Sequence, residues 1–321
     1  MGQSIRDIRR RINSVRSTSQ ITRAMEMVSV AKLRRAQEQL AQARPFAGQL
    51  ADVVRRLLAD PRLHRQLPGV SPAVVTGRAS VSRVAYVVIT SDRGLAGGYN
   101  VNLVRFARTQ IESDSCPYLL YCIGRKGRHF FERLGWPVQG GLESVGDNVD
   151  FLTARKLGSE LWELFVSSQV DQVDLIYQQF LGVGHQRPVR ETLLPLTRLV
   201  SSRIASTGDA TRLGKGPEQA GEGADTEATT VAEYIYVPSR EQVLALLLPR
   251  LVHNELYRVL LEAKASEHGA RRTAMHQATE NAEEMLRALQ LSYNKARQAA
   301  ITKELVEIVG GAETLTAGGG Q

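Results

Sequence analysis

Cysteine is nearly absent: two residues, Cys116 and Cys122, in a chain of 321. Two cysteines cannot build a disulfide framework. If the segment joining them is extended they stand ~20 Å apart, too far to bridge. They read as ordinary buried thiols. Aromatic residues make up only 6%, which is thin for a protein that stacks unpaired bases. No run of about 18 apolar residues exists, so nothing is expected to span a bilayer. The N-terminal MGQSIRDIRRRINS has no apolar signal core, so the chain is expected to stay in the compartment where it is made. What remains is 43% hydrophobic, enough to pack a core, with a formal charge of +8. That excess suits an acidic protein surface, nucleic acid or an anionic membrane face.

Glycine and proline are missing from long stretches at both ends. Between Ser4 and Leu58 there is one of each, Gly48 and Pro45. Good helix formers dominate. Ile5, Ile8, Ile12 and Val15 are spaced three, four, three, a narrow seam of coiled-coil type. Ser17, Thr18 and Ser19 interrupt it. It resumes at Ile21, Met25 and Val28, then at Leu33, Ala36, Leu40 and Ala43. Pro45 is expected to kink or break this helix after Arg44. At the other end, Ser239 to Gln242 reads as a capping box. A helical pattern follows, interrupted by Pro249 and expected to stop at Gly310 and Gly311. Ala270, Ala274, Ala278 and Ala282 form a small-residue stripe on which another helix can pack closely. Met285, Leu289, Tyr293 and Ala296 carry the seam onward. A helix of about 60 residues is ~90 Å long, so it is expected to project from any domain and to pair with the first helix.

The middle alternates strand and helix. Strands are expected at 84–90, 118–123, 173–180, 192–199 and 233–237, and helices at 102–112, 125–134 and 151–166. The fold class is therefore α/β: a Rossmann-like central domain over 83–237, flanked by coiled-coil helices at 1–58 and 239–311. Residues 59–82 read as a polar linker. Residues 206–230, rich in Gly, Thr, Ala, Asp and Glu, read as a flexible insertion.

Motifs for chemistry are weak. The loop at 91–99 follows a strand and precedes a helix, but Gly94, Gly97 and Gly98 do not match G-x-G-x-x-G, and no acidic ribose partner stands out. A tight turn packing against another backbone is the simpler reading. Gly208 to Gly216 misses the P-loop spacing and lacks its Ser or Thr. The six histidines are scattered, with no i, i+4 pair, so no metal site is expected. The first 60 residues carry 12 Lys or Arg against 5 Asp or Glu. Alone, that could grip phosphates, but the seam calls for a helical partner and no DNA-reading context accompanies the charge.

Three groups of residues together resemble one family. Ile8-Arg-Arg-Arg-Ile-Asn-Ser-Val15, Gln20-Ile-Thr-Arg-Ala-Met-Glu-Met-Val28 and Ala31-Lys-Leu-Arg-Arg-Ala-Gln37 are similar to the N-terminal helix of F-type ATP synthase gamma subunits. Thr90-Ser-Asp-Arg-Gly-Leu-Ala-Gly-Gly-Tyr-Asn100 resembles their glycine loop. Ala265-Ser-Glu-His-Gly-Ala-Arg271, Ala274-Met, Ala278-Thr-Glu-Asn-Ala282, Tyr293-Asn-Lys-Ala-Arg-Gln-Ala299, Ile301-Thr-Lys-Glu-Leu305 and Glu307-Ile-Val-Gly-Gly-Ala312 resemble their C-terminal helix. The resemblance spans nearly the whole chain. Departures are the insertion at 206–230, the absence of a regulatory cysteine pair, and Ala96 where the family often has Cys.

The resemblance implies a central rotor stalk, a non-catalytic subunit that couples proton flow through a membrane c ring to conformational cycling of catalytic beta subunits. It implies an antiparallel pair of terminal helices inside a ring of alpha and beta subunits, with epsilon and the c ring at the foot. No cofactor and no nucleic acid is implied, and the location is the cytoplasmic face of the cell membrane. Matched to the family's motifs, Met25, Glu26, Arg297 and Gln298 are expected to meet beta. Lys32, Tyr234 and Tyr236 are expected to meet the c ring or epsilon. Seam packing competes for Met25, and core packing for Tyr234 and Tyr236, which alternation puts on one sheet face. Two rival classes stay open on the residues alone: a nucleotide-binding α/β enzyme with a coiled-coil dimerisation arm, and a basic coiled-coil nucleic-acid binder.

Overall fold

The computed structural model describes residues 4–59, 63, 68, 70–114, 116–196 and 236–318. In chain order these form α1 (Ile5–Leu58), α2 (Ala73–Thr76), β1 (Val84–Ile89), α3 (Tyr99–Ser113), β2 (Tyr118–Ile123), α4 (Arg125–Arg133), β3 (Val138–Leu142), α5 (Phe151–Val166), β4 (Gln172–Gly182), β5 (His185–Leu194) and α6 (Arg240–Gly318). They fall into two compact units. One comprises residues 4–31, 95–97 and 271–318, and the other 32–94 and 98–270. Each long helix thus contributes to both, and compactness divides the chain differently from a division by element.

The larger unit is built on a five-stranded sheet in the order β3-β2-β1-β4-β5. β1 pairs in parallel with β2 and β4, β2 with β3, and β4 turns back to β5 antiparallel. All six residues of β1, VAYVVI, are buried, as a central parallel strand covered on both faces requires. Its residues alternate between two cores. Val84, Tyr86 and Val88 pack with Leu103, Val104 and Ala107 of α3 and with Phe131 of α4. Ala85, Val87 and Ile89 face Leu157, Leu161 and Phe165 of α5, Leu50, Val54 and Leu57 of α1, and Leu248, Leu256 and Leu260 of α6. The sheet is therefore the middle layer of three. β3 was not foreseen, because VQGGL carries no run of strand formers and two glycines.

Of the kink or break expected at Pro45 the break does not occur, and neither does the interruption expected at Pro249. Pro45 lies inside α1 and Pro249 inside α6. A proline in a helix interior costs ~3 kcal/mol. Around Pro45, however, Leu40, Ala47, Leu50, Ala51 and Val54 are buried, and around Pro249 so are Leu244, Leu248, Leu251 and Val252. Each large aliphatic side chain contributes ~1.5–3 kcal/mol on burial, so the sum outweighs either proline. α6 also continues past Gly310 and Gly311 to Gly318, since glycine weakens a helix by ~1 kcal/mol without blocking it.

The segment read as a polar linker is partly structured. Val74 and Val75 of α2 are buried. Beyond them, Arg78 Nη1 donates to the Val170 carbonyl at 2.6 Å and to Asp171 Oδ1 at 2.5 Å, while Nη2 donates to the Phe165 carbonyl at 2.7 Å. This one guanidinium ties the chain entering β1 to the end of α5. The strand expected over 192–199 is the end of β5, which closes at Leu194. Of the strand expected over 233–237, residues 236 and 237 are not in a strand, and the rest lies outside the described residues, as does the insertion at 206–230.

Candidate functional site

An open parallel sheet offers its ligand crevice where strand order reverses, beyond the carboxyl ends of the strands. Here that point lies between β1 and β4. It is filled by the protein itself. Tyr99 Oη donates to the Ala263 carbonyl at 3.1 Å, and Ser266 Oγ donates to the Gln178 carbonyl at 2.8 Å. Lys264 Nζ sits 3.0 Å from Glu267 and 3.8 Å from Asp92. The space left among Ile89, Tyr99, Ile123, Ala263 and Lys264 is about 10 Å³, room for one water at most. A nucleotide has no place there. The glycine loop is pinned by Ser91, whose backbone N–H donates to Asn100 Oδ1 at 3.0 Å and whose hydroxyl donates to the Arg93 carbonyl at 2.6 Å. Its Gly97, at φ +56°, lies against Ala274. It is a packing turn, but the neighbour at Gly97 is the Ala274 methyl and not another backbone. Among the described residues no group of His, Cys, Asp or Glu is arranged to hold a metal, and no helix is long and apolar enough to cross a membrane.

In the smaller unit the two terminal helices face each other. Thr22 Oγ1 and Thr279 Oγ1 are 2.7 Å apart, and Glu26 Oε1 is 3.1 Å from His276 Nδ1. As one residue number rises the other falls, so the helices run antiparallel. The buried or half-buried seam of α1 is Ile8, Ile12, Val15, Ser19, Thr22, Glu26 and Ser29, an unbroken alternation of four and three. That of α6 is Arg271, Met275, Thr279, Ala282, Leu286, Leu289, Tyr293 and Ala296.

This corrects the expected seam. Ile21 and Val28 are 58% and 53% exposed. The period begun at Ile8 and Ile12 does not skip its polar stretch but runs through it, and the seam there consists of hydroxyls. Met285 is likewise exposed. Within the alanine stripe, Ala282 is buried, while Ala270, Ala274 and Ala278 are half-buried on its flank. Ala274 meets the glycine loop.

The residues expected to meet other subunits are placed as follows. Met25 and Glu26 are half-buried, and Arg297 and Gln298 are exposed. Beside Glu26 runs a groove of about 530 Å³ that includes Arg23, Met27, His276, Glu280 and Glu283. The outward side of α1 carries Ile21, Met27, Val28 and Val30. Lys32 donates to Asp147 Oδ2 at 2.6 Å. Burial alone would raise the Asp147 carboxyl, but this ammonium holds it below its ordinary value. Tyr236 packs against the apolar core, with the Arg240 guanidinium 5.7 Å from its ring centre, so the core-packing reading holds for it. Tyr234 lies outside the described residues. Met25, Glu26, Arg297 and Gln298 belong to the smaller unit, and Lys32 and Tyr236 to the larger.

Sequence reasoning missed two features: the hydroxyl seam, and a buried polar stretch of α6. Glu255, Arg258 and Glu262 form ion pairs there, with Arg258 Nη2 also 2.8 Å from Glu191. The signal for the first was present in the strict continuation of the four-three spacing.

The fold and the filled crevice define a class: a mixed α/β sheet unit joined to a long antiparallel helix pair, with no small-molecule site at its switch point. The family model described as ATP synthase matches residues 4–315. The ATP synthase gamma chain of Heliobacterium modesticaldum is 44% identical over 97% of this chain and 99% of its own length. That of Moorella thermoacetica matches equally, at 44% over 97% and 99%. Among solved structures, a chain of the Euglena gracilis mitochondrial ATP synthase shares the fold with a TM-score of 0.62 at 19% identity, covering 99% of this chain and 96% of that one. A chain from the central stalk and c-ring structure of the Tetrahymena thermophila mitochondrial enzyme gives 0.56 at 22%, covering 80% and 99%. The chain belongs to the ATP synthase gamma chain family.

Proposed function

We propose that this chain is the central rotor stalk of a proton-translocating F-type ATP synthase, carrying rotation between a membrane c ring and a ring of alpha and beta subunits. The observation that supports it most is the helix pair. Its seam is closed by Ile8, Ile12, Met275, Leu286 and Leu289 together with the hydroxyls of Thr22, Ser29 and Thr279, while Ile21, Met27, Val28 and Val30 are exposed. Exposed apolar residues on a helix that already has its partner fit a further protein surface. A shaft that turns in a sleeve works by presenting a different face to each beta subunit, so that each adopts a different nucleotide affinity. Torque then becomes a shift among those states.

On this reading the chain makes and breaks no bonds, in keeping with the plugged crevice, and catalysis belongs to the ring. Met25, Glu26, Arg297 and Gln298 lie toward beta. Lys32, with Tyr234, is assigned toward epsilon or the c ring, while Tyr236 is assigned to core packing. Association with the cell membrane is peripheral, through the complex. The nucleotide-enzyme reading is disfavoured by the filled switch point. The test is co-expression with alpha, beta, epsilon and the membrane sector, followed by purification through a tag on this chain. The expected result is a complex that hydrolyses ATP and drives proton uptake into inverted vesicles. Recovery of the chain alone, with measurable nucleotide binding, would overturn the proposal.

A further inference from the structure

Most of the interface between α6 and the sheet is apolar, supplied by Leu248, Leu256, Val259 and Leu260. From Glu262 to His268 its character changes. Glu262, Lys264, Ser266, Glu267 and His268 are all buried, with only alanines at 263 and 265 between them. Burying so many polar groups is expensive, and an apolar replacement is commonly as stable or more so. Stability alone does not account for the stretch.

What polar contacts add is direction. Apolar burial depends on area and tolerates sliding and rotation, whereas a hydrogen bond fails within a few tenths of an ångström or a few tens of degrees. The contacts here close a circuit across three elements. The Ala263 carbonyl of α6 accepts from Tyr99 Oη of α3 at 3.1 Å. The Tyr99 carbonyl accepts from Gln178 Nε2 of β4 at 3.2 Å. The Gln178 carbonyl accepts from Ser266 Oγ, back on α6, at 2.8 Å. Glu262 Oε1 accepts from the Phe180 N–H at 3.3 Å. Successive residues of a helix point ~100° apart, so any rotation of α6 about its axis breaks the circuit at both Ala263 and Ser266.

We infer that this circuit of Tyr99, Gln178 and Ser266 is a torsional key, the set of contacts that makes the α/β layers and their stretch of α6 turn as one body. The inference rests on the rotor reading and names the residues on which coupling depends within the larger unit. They are positioning residues and touch no substrate.

The experiment uses the assembled complex in inverted vesicles, with Tyr99→Phe, Ser266→Ala and their combination. Leu248→Ala, in the apolar part of the same interface, is the comparison for simple destabilisation. The double variant, which loses both the Tyr99–Ala263 and the Ser266–Gln178 hydrogen bonds, is expected to keep ATP hydrolysis near that of the parent while protons taken up per ATP fall clearly below the parent ratio. A bead fixed to the α/β surface of a stalled complex should show a wider angular spread. Leu248→Ala should lower the melting temperature while leaving both the proton-to-ATP ratio and the angular spread unchanged. Tyr99→Phe, which loses only a hydroxyl, carries the same expectation at smaller size if the double variant does not assemble. Parent values for ratio and spread in Tyr99→Phe and Ser266→Ala would overturn the key, as would an equal loss in Leu248→Ala. A parent complex that hydrolyses ATP without proton uptake would instead overturn the rotor reading on which the key rests.

Discussion

The hydroxyl pair in the helix seam gives a prediction that can be worked through. Thr22 and Thr279 are both buried, 2.7 Å apart, and each hydroxyl also reaches a carbonyl of its own helix: Ser19 at 3.0 Å and Met275 at 2.9 Å. Replacing either threonine by valine keeps the volume and removes one partner. The surviving hydroxyl retains its own-helix carbonyl, so the loss should sit near the bottom of the range for an unsatisfied buried group, ~1 kcal/mol. Replacing both leaves two methyl-bearing side chains in contact and no stranded polar atom, so the double variant should lie within ~0.5 kcal/mol of the parent. The two single losses would then not add, and a coupling of about 1–2 kcal/mol is expected from the cycle. The assay is hydrogen exchange of the amides over 19–31 and 271–282, which reports opening of the pair locally. If the two losses simply add, the hydroxyls do not meet and the antiparallel register is wrong.

Four other substitutions have definite expected effects. Gly141→Ala should destabilise by roughly 4 kcal/mol, at the top of the range for single changes, because φ is +122° and a Cβ would lie 2.0 Å from the Cys122 carbonyl oxygen; soluble yield and melting temperature check it. The hydrogen bond from Arg190 is the largest influence on Asp114 and holds its carboxyl below the ordinary 3.8. A depressed carboxylate stabilises the fold above that ordinary value and loses its contribution as pH falls through the lower one. Arg190→Gln should therefore raise the midpoint of acid unfolding, and at neutral pH should cost roughly 3 kcal/mol because Asp174, fully buried and 2.7 Å from Arg190, is left uncompensated. Ala274→Leu should overpack the glycine loop at Gly97, by ~1–3 kcal/mol, read as a lowered melting temperature, whereas Ala278→Leu on the half-buried flank should cost less. Arg297→Ala should leave an assembled complex with altered ATP turnover or proton uptake, and Arg297→Lys should restore it only in part, since an ammonium cannot reproduce the two-pronged bond of a guanidinium to a carboxylate.

Much of the fold was legible because the strongest physical signals are local. The buried runs VAYVVI and YLLYCI could hardly be anything but covered strands, and the helix formers at both ends announced themselves. What was hidden is where long-range packing overrode a local preference. Pro45 and Pro249 should end helices by their own chemistry, and only the leucines packed around them explain why they do not. β3 owes its strand geometry to its partner β2, not to its composition. The seam was misread at Ile21 and Val28 because apolar character was followed instead of period. The hydroxyls at Thr22 and Thr279 hold the register that the isoleucines had set. The circuit of Tyr99, Gln178 and Ser266 joins residues far apart in the chain, and no spacing rule connects them.

The central claim is that this chain turns. The most direct measurement immobilises the alpha–beta ring, fixes a bead to the α/β unit of this chain, and follows its angle as ATP is added. Stepwise rotation in one direction that stops when ATP is removed is the expected result. Sustained ATP hydrolysis by the same complexes with the bead at a fixed angle would contradict it.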